Sequence, residues 1–311
     1  MGFEKPTFAW RAPRFGGRLN SPGMFTYAAP TSIEEALDIL SEWGSRARIL
    51  AGGQTLLLLI RSGTLRPEHL VDINGVGSLD FIDFNDTLRV GACCRQLDLE
   101  VFLRTNPRNS LLAQALPLIA DQELRNRGTV CGSLAAAPSG AELPAIALTC
   151  NANLHIRNRR GDREICATSF YREYGTVAMA PDEILTHVNF EYDDQSGTAI
   201  EEIRYTQLSF PACGAAVVVD SQDGVCRSLR LTIFGQGIPA QRIDEAVSSV
   251  KGEKPSNQLV DELATRIRKE VCVDSAPGIP ADYARHVAGS LGARAFKRAV
   301  AQGEDLTTRS Q

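Results

Sequence analysis

Several features that would indicate a particular class of protein are missing from these 311 residues. The eight cysteines form no C-x-x-C or similar chelating pair, so we expect reduced, mostly buried thiols. No apolar run approaches the roughly 20 residues that span a bilayer, because Arg61 ends the run at 56–60. The first 23 residues lack the apolar centre of a secretory signal. Both absences favour the cytoplasm.

Charge and motif content exclude further classes. The 33 basic and 37 acidic residues are well mixed, without the basic stripe that marks nucleic-acid binding. Neither the Rossmann G-x-G-x-x-G nor the P-loop G-x-x-x-x-G-K-[ST] pattern occurs. The four histidines are scattered, and the cysteines lack the spacing of an iron–sulfur site. We therefore predict no nucleic-acid partner, no catalytic residue and no metal ligand in this chain.

The pattern along the chain predicts two domains behind an irregular arm. Residues 1–23 mix Pro, Gly and Arg without apolar periodicity, which indicates an arm used for docking. Strand and helix patterns alternate over 24–195, in two parts of about 24–80 and 81–195. The strands IEEIRYTQL, AAVVVD and LRLTIFG then precede three helices. Residues 196–311 are therefore expected to form an α+β domain, with a sheet packed on a small helix bundle.

The first informative motif is the segment RILAGGQT, where a strand pattern leads directly into Gly52 and Gly53. Main-chain N–H groups bind a diphosphate well when the backbone can approach it closely, which glycine permits. Gln54 and Thr55 add side-chain donors at the same place. Taken alone, A-G-G-x-T is also the pattern of an ordinary tight strand-to-helix turn.

A second glycine-bearing loop, GTVCGS, occupies residues 128–133 and also precedes a helical pattern. Its Thr129 and Ser133 place a hydroxyl on each side of an approachable backbone. This loop, too, has the composition of a simple turn. Two phosphate-binding loops outside the Rossmann and P-loop patterns would require a different fold.

Together these segments resemble a known family, the FAD-binding medium subunits of the molybdenum hydroxylases, which include xanthine dehydrogenase and carbon monoxide dehydrogenase. The resemblance covers about residues 25–300. It is carried by RILAGGQTLLLLIRSGTLRPEHLVDI, LRVGA, RNRGTVCGSLAAAPSGAELPA and PDEILTHVNF, in the family's order and at about its spacing. It implies an α+β fold with a two-part FAD-binding domain of the PCMH/vanillyl-alcohol-oxidase-like type, followed by a small sheet-plus-helix-bundle C-terminal domain.

The resemblance also implies which residues bind FAD. They are Arg48, Ile49, Leu50, Ala51, Gly52, Gly53, Gln54, Thr55, Leu56, Thr129, Cys131, Gly132, Ser133, Glu142, Ile184 and Leu185. Residues 49–56 are expected to wrap the pyrophosphate and ribityl chain, and those of 129–133 to close the site from the other side. Glu142 is expected near the adenosine and ribityl hydroxyls. Ile184 and Leu185 are expected to flank the flavin or the adenine, although any buried strand with this pattern would bury them too.

The sequence departs from the family at three places. The second loop commonly reads T-I-G-G, whereas Cys131 stands here for the first of those glycines. Its Cβ must then turn away from the phosphate, with a negative φ. Ala136 and Pro138 replace a histidine and an aspartate often found after that loop. Basic residues that often face the flavin are not evident, and Arg204 is the nearest candidate.

The resemblance implies an electron-transfer role within a larger complex. A small subunit would carry [2Fe–2S] clusters and a large subunit the molybdopterin, in a dimer of heterotrimers. Electrons would pass from those clusters through the FAD of this chain to an external acceptor. A self-sufficient FAD-dependent oxidoreductase and an assembly subunit without flavin remain alternatives.

Overall fold

Three β-sheets, each with its own helices, organise the part of the chain that the structure describes. The computed structural model describes residues 25–105, 111–172, 176–191, 195–274 and 280–309. The arm predicted at 1–23 lies outside these residues. Its docking role therefore stays a prediction.

The first sheet is small and wholly parallel. Its strands, in the order β1-β3-β2, are β1 (Thr26–Ala28), β2 (Ala47–Leu50) and β3 (His69–Asp72). Helix α1 (Ile33–Trp43) connects β1 to β2, and helix α2 (Leu56–Arg61) lies between β2 and β3. The side chain of Ser32 caps α1, and Gly44 ends it with a φ of 52°. The run IEEALDILSEW, with Thr31 or Ser32 before it as N-cap and Gly44 after it, predicts a helix with these ends.

The second sheet is antiparallel, in the order β4-β5-β8-β6-β7. Its strands are β4 (Ile82–Phe84), β5 (Thr87–Gly91), β6 (Asn153–Asn158), β7 (Gly161–Cys166) and β8 (Ile184–Glu191). Its helices are α3 (Gln96–Thr105), α4 (Leu111–Ala115), α5 (Gln122–Arg127), α6 (Val130–Ala136), α7 (Glu142–Thr149) and α8 (Ala167–Phe170). Helices α3 to α7 all lie in the connection between β5 and β6, so the second glycine loop emerges beside this sheet.

The third sheet, in the order β12-β11-β10-β9, begins the C-terminal part. Its strands are β9 (Gly197–Ile203), β10 (Cys213–Gln222), β11 (Val225–Gly235) and β12 (Ile238–Arg242). Helices α9 (Asp244–Ser248), α10 (Asn257–Glu270) and α11 (Ala281–Arg309) follow it. Val217 and Leu231 face the core shared with these helices, whereas Ala216 and Val218 belong to the core of the preceding part. Burial on both faces explains the unbroken apolar run of β10.

Helix α7 fills the space between the two parts. All eight of its residues are buried, including Thr149, whose hydroxyl lies 2.8 Å from that of Thr232 in β11. The guanidinium of Arg230 donates to the carbonyl of Thr149 at 2.8 Å. The sheet-plus-helix-bundle unit is therefore fastened to the preceding part by polar contacts as well as by apolar packing.

The structure differs from the sequence prediction at three places. The strand predicted through IEEIRYTQL ends at Ile203, because its pairing with β10 ends there, opposite Cys213. The sequence pattern over 111–120 predicts one helix, but the helix ends at Ala115 and continues as a 3-10 turn that contains Pro117. The short strand β12 was not predicted. The predicted domain boundaries at about 80 and 195 stay predictions.

Candidate cofactor site

The first glycine loop, residues 51–55, presents unpaired main-chain donors. In the described residues, the N–H groups of Gly52, Gly53, Gln54 and Thr55 donate to no acceptor in the chain. The loop follows the end of β2, and the carbonyl of Gly53 receives the N–H of Leu57 at 3.0 Å. Gly53 has a φ of 73°, a conformation that glycine adopts without strain. Four successive free donors are suited to an anionic ligand.

In the second glycine loop, residues 128–133, several hydrogen-bonding groups already have partners within the chain. The hydroxyl of Thr129 caps helix α6 by accepting the N–H of Gly132 at 3.1 Å. The carbonyl of Thr129 accepts the N–H of Ser133 at 3.1 Å. The carbonyl of Gly128 receives the N–H of Gln96 at 2.9 Å, which ties the loop to the start of α3. This loop is therefore held rigidly before any ligand binds.

The two loops touch each other at Gly52. A methyl group on Gly52 would stand 2.4 Å from the carbonyl oxygen of Arg127 and 2.9 Å from the main-chain nitrogen of Thr129. Contacts below 3.0 Å with main chain do not occur for real Cβ atoms. Glycine at position 52 is thus required for the contact between the loops. The sequence suggested glycine for the approach of a phosphate, whereas the structure assigns this glycine to the neighbouring loop.

Asn74 and Arg95, which the sequence reading did not select, join the two loops. The side-chain amide of Asn74 donates to the carbonyl of Ala51 at 2.9 Å. The guanidinium of Arg95 donates to Asn74 Oδ1 at 2.6 Å and to the carbonyl of Arg127 at 2.8 Å. A cleft of about 390 Å³ lies beside them, lined by Ala51, Gly52, Asn74, Arg95, Glu123, Asn126 and Arg127. Because these residues are far apart in sequence and match no motif, only the folded chain reveals them.

Cys131 points into the protein rather than toward the cleft. Its side chain is buried, and its Sγ lies 3.5 Å from the carbonyl of Val90 in β5. The residue has a negative φ. Burial raises the pKa of its thiol well above the usual value, so the side chain is a neutral core group. The substitution of cysteine for the family's glycine is therefore accommodated on the core side.

The side chains at the edges of the first loop are also fixed. Arg48 turns back to the carbonyls of Ser45 and Ala47, both at 2.7 Å. Gln54 folds over its own loop and donates to the carbonyl of Gly52 at 3.0 Å. The hydroxyl of Thr55 makes no hydrogen bond in the described residues. Ile49, Leu50 and Leu56 are partly buried around these groups.

Glu142 lies at the start of α7 and forms a buried ion pair. Arg204 donates to its carboxylate at 2.6 Å, and the same guanidinium reaches Glu202 at 2.7 Å. Burial raises the pKa of Glu142 to about 7, and this effect exceeds the opposing attraction of Arg204. Arg204 also donates to the carbonyl of Leu118 at 2.6 Å. This arginine therefore ties the C-terminal part to the preceding one.

Ile184 and Leu185 open strand β8 and are almost fully buried. Ile184 pairs with Arg157 and Leu185 with Ile156 of β6, and both belong to the large core of the first part. Core packing accounts for both side chains. Contacts of Glu142, Ile184 and Leu185 with a flavin stay predictions.

Comparison with known families agrees with this architecture. Residues 23–190 match the FAD binding domain in molybdopterin dehydrogenase, and residues 198–299 match the CO dehydrogenase flavoprotein C-terminal domain. The chain therefore belongs to the family of FAD-binding medium subunits of molybdenum hydroxylases. The predicted two-domain α+β FAD-binding fold is confirmed, and the chain is an oxidoreductase subunit.

Individual relatives extend the comparison. The 6-hydroxypseudooxynicotine dehydrogenase complex subunit alpha of Paenarthrobacter nicotinovorans is 34% identical over 72% of this chain and 77% of its own length. The caffeine dehydrogenase subunit beta of a Pseudomonas species is 30% identical over 90% of this chain and 96% of its own. A carbon monoxide dehydrogenase structure from Hydrogenophaga pseudoflava has a TM-score of 0.86 at 29% identity, covering 90% of this chain and 99% of that one. Within the described residues, every helix is too short or too polar to traverse a bilayer.

Proposed function

We propose that this chain binds the diphosphate of FAD where its two glycine loops meet, and relays electrons from an iron–sulfur partner to an external acceptor. The observation that carries the proposal is the row of four free N–H groups over residues 52–55, in contact with the second loop through Gly52. A diphosphate has enough acceptor oxygens for such a row. The family's FAD-binding domain covers both loops.

The donors present in the first loop fit the diphosphate of FAD. The first loop supplies main-chain donors, and the hydroxyl of Thr55 has no other partner in the described residues. The second loop supplies a rigid wall, because Thr129 already fixes it through the cap of α6. The side chain of Cys131 faces the core and does not line the cleft. These are binding and positioning roles, which is what a cofactor protein contributes.

When bound, FAD exchanges electrons singly or in pairs, so the protein supplies no acid or base for that chemistry. The chain's own task is to orient the cofactor. Segment 204–210 follows β9 and contacts the residues just before α7, since a methyl on Gly140 would stand 3.1 Å from Cβ of Phe210. The buried contact of Arg204 with Glu142 fixes this segment against the FAD-binding domain.

The partners are inferred from the family. One relative is a subunit of a dehydrogenase complex, and others are medium chains of carbon monoxide dehydrogenase, which supports a role beside other subunits. We propose a small [2Fe–2S] subunit and a large molybdopterin subunit, arranged as a dimer of heterotrimers in the cytoplasm. The relatives are named for caffeine, nicotine and carbon monoxide. The substrate therefore depends on another polypeptide and is not assigned.

The test is flavin binding by the full-length chain, followed by reconstitution. The purified chain is mixed with excess FAD, freed of unbound cofactor and examined for visible flavin absorbance and stoichiometry. We expect about one FAD per chain. The FAD-loaded chain is then combined with the partner chains that copurify with it from cells. Reduction of an electron acceptor is measured before and after the partner chains are added.

Three outcomes contradict the proposal in distinct ways. A folded chain that stays colourless in excess FAD would favour an assembly subunit without flavin. A yellow chain that oxidises substrate without any partner would favour a self-sufficient oxidoreductase. Partner chains that contain no molybdenum or iron would contradict the proposed route of the electrons.

A further inference from the structure

Arg95 occupies a position that the FAD-binding role does not by itself explain. Its half-buried guanidinium lies between the two glycine loops and bonds to the carbonyl of Arg127, just before the second loop. The backbone of Arg95 also forms a bridge with Thr129 in that loop. The main chain of Arg95 is therefore bonded to the second loop, and its side chain is bonded to the residue just before that loop.

Asn74 fixes the orientation of that guanidinium. The carboxylate of Asp72, at the end of β3, accepts the main-chain N–H of Asn74 at 2.9 Å and its side-chain amide at 2.5 Å. The other carboxylate oxygen of Asp72 accepts the hydroxyl of Tyr27. With its Nδ2 directed to Asp72 and Ala51, Asn74 presents Oδ1 to Arg95. Arg95 is thus held in one geometry by Asn74, which is bonded to the first loop, and by the carbonyl of Arg127, which directly precedes the second loop.

The held guanidinium retains unused donors beside the cleft. A guanidinium has five N–H groups, and Arg95 uses two of them on Asn74 and Arg127. In the described residues, the remaining donors have no acceptor. Arg95 lines the same cleft as Gly52, whose N–H is also free, and the cleft's charged lining is Arg95, Arg127 and Glu123. A fixed guanidinium fork next to free amides matches phosphate oxygens in shape and charge.

We propose that Arg95, held by Asn74, contacts the diphosphate and makes this site select a flavin dinucleotide over a flavin mononucleotide. This inference rests on the proposed function. A residue that only braced the loops would support both flavins equally. A residue that contacts the second phosphate would matter for FAD and little for FMN, because FMN has one phosphate.

The experiment compares FAD and FMN dissociation constants, by fluorescence titration, for the full chain and its variants. In Arg95→Met we expect FAD binding to weaken about 30-fold, the size of one lost hydrogen bond to a charged group, and FMN binding to change less than threefold. Arg95→Lys keeps the positive charge but lacks the planar guanidinium, so it should recover part of the preference for FAD over FMN. Arg89→Met is the control. It removes an arginine of β5 that pairs with Asp83 of β4, and it should change neither dissociation constant.

Asn74→Leu provides an independent test that leaves Arg95 in place. It should lower the preference for FAD in the same direction, and the double variant should be no worse than Arg95→Met alone, because the two residues act as one unit. Equal weakening of FAD and FMN binding by Arg95→Met, or no weakening of either, would overturn the inference. A wild-type chain that binds neither flavin would instead overturn the proposed function.

Discussion

The two glycine loops differ in how they use their hydrogen-bonding groups. The first loop leaves the N–H groups of residues 52–55 without acceptors, whereas the second caps its own helix through Thr129. The first loop contains a positive φ at Gly53, and the second has none over 128–133. The first is therefore suited to receive a ligand and the second to hold the first in position. Similar-looking sequence patterns have different physical roles here.

The largest effect is expected from Gly52→Ala, which breaks the contact between the loops. The new methyl would stand 2.4 Å from the carbonyl oxygen of Arg127, so the loops must separate. Strain of this kind costs about 1–3 kcal/mol, and we expect FAD affinity to fall roughly 100-fold. Isothermal titration with FAD measures the loss.

Gly77→Ala is the matched control, because nothing lies within 4 Å of the Cβ position there. It should bind FAD like the wild type. If Gly52→Ala binds FAD with unchanged affinity, contact between the loops is not needed for the site.

A smaller effect is expected from Gly53→Ala, which tests the conformation of the first loop alone. The φ of 73° costs an alanine about 1–2 kcal/mol, so FAD affinity should fall roughly tenfold while the loop contact at Gly52 survives. Gly63→Ala is the control, with a φ of 76° at the end of α2. It should lose similar stability in thermal denaturation and keep its FAD affinity. Equal loss of affinity in both variants would contradict a specific role for Gly53.

Much of the site could be predicted because its parts are local. The strand into Gly52, the cap of α1 at Ser32 and the segment at 128–133 are each encoded by a few adjacent residues. Chain-wide order and spacing of these segments then indicated the family. The structure places Gly52 in contact with residues 127–129.

The other features of the site could not be predicted, because they depend on contacts between segments that are distant in sequence. Asn74 and Arg95 lie 21 residues apart and join loops that neither belongs to. The sequence predicts Arg204 as a strand residue, yet it directly follows the end of β9 and pairs with Glu142, 62 residues away. The sequence suggests that Gly52 permits close approach of a phosphate, whereas in the structure the main chain of residues 127–129 approaches it. Sequence patterns indicate local conformation, but they do not indicate which distant segment of the chain packs against it.

Thr129→Ala tests whether the second loop acts through rigidity, and a modest effect is expected. Removing the cap of α6 costs about 1 kcal/mol of stability, and the loosened wall should weaken FAD binding a few-fold. Ser256→Ala removes a geometrically similar cap from α10, since each hydroxyl accepts an N–H at 3.1 Å. The two variants should lose similar stability by thermal denaturation, and only Thr129→Ala should lose affinity. Unchanged FAD affinity in Thr129→Ala would remove the positioning role of this loop.

The smallest effect on the cofactor is expected from Cys131→Gly, which restores the glycine common in the family. The side chain lies in the core near Val90, so removing it gives the ligand no additional space. FAD affinity should stay within about twofold, whereas glycine inside α6 and the vacated core volume should together cost about 1–2 kcal/mol of stability.

Cys131→Ala separates these two contributions, because it retains Cβ and helical preference while removing the sulfur. Chemical denaturation of all three proteins should rank their stability as wild type, then alanine, then glycine, with nearly equal FAD affinity. Tighter FAD binding in Cys131→Gly would show that the cysteine crowds the diphosphate. The second loop would then contact the ligand as directly as the first, and the difference between the loops would disappear.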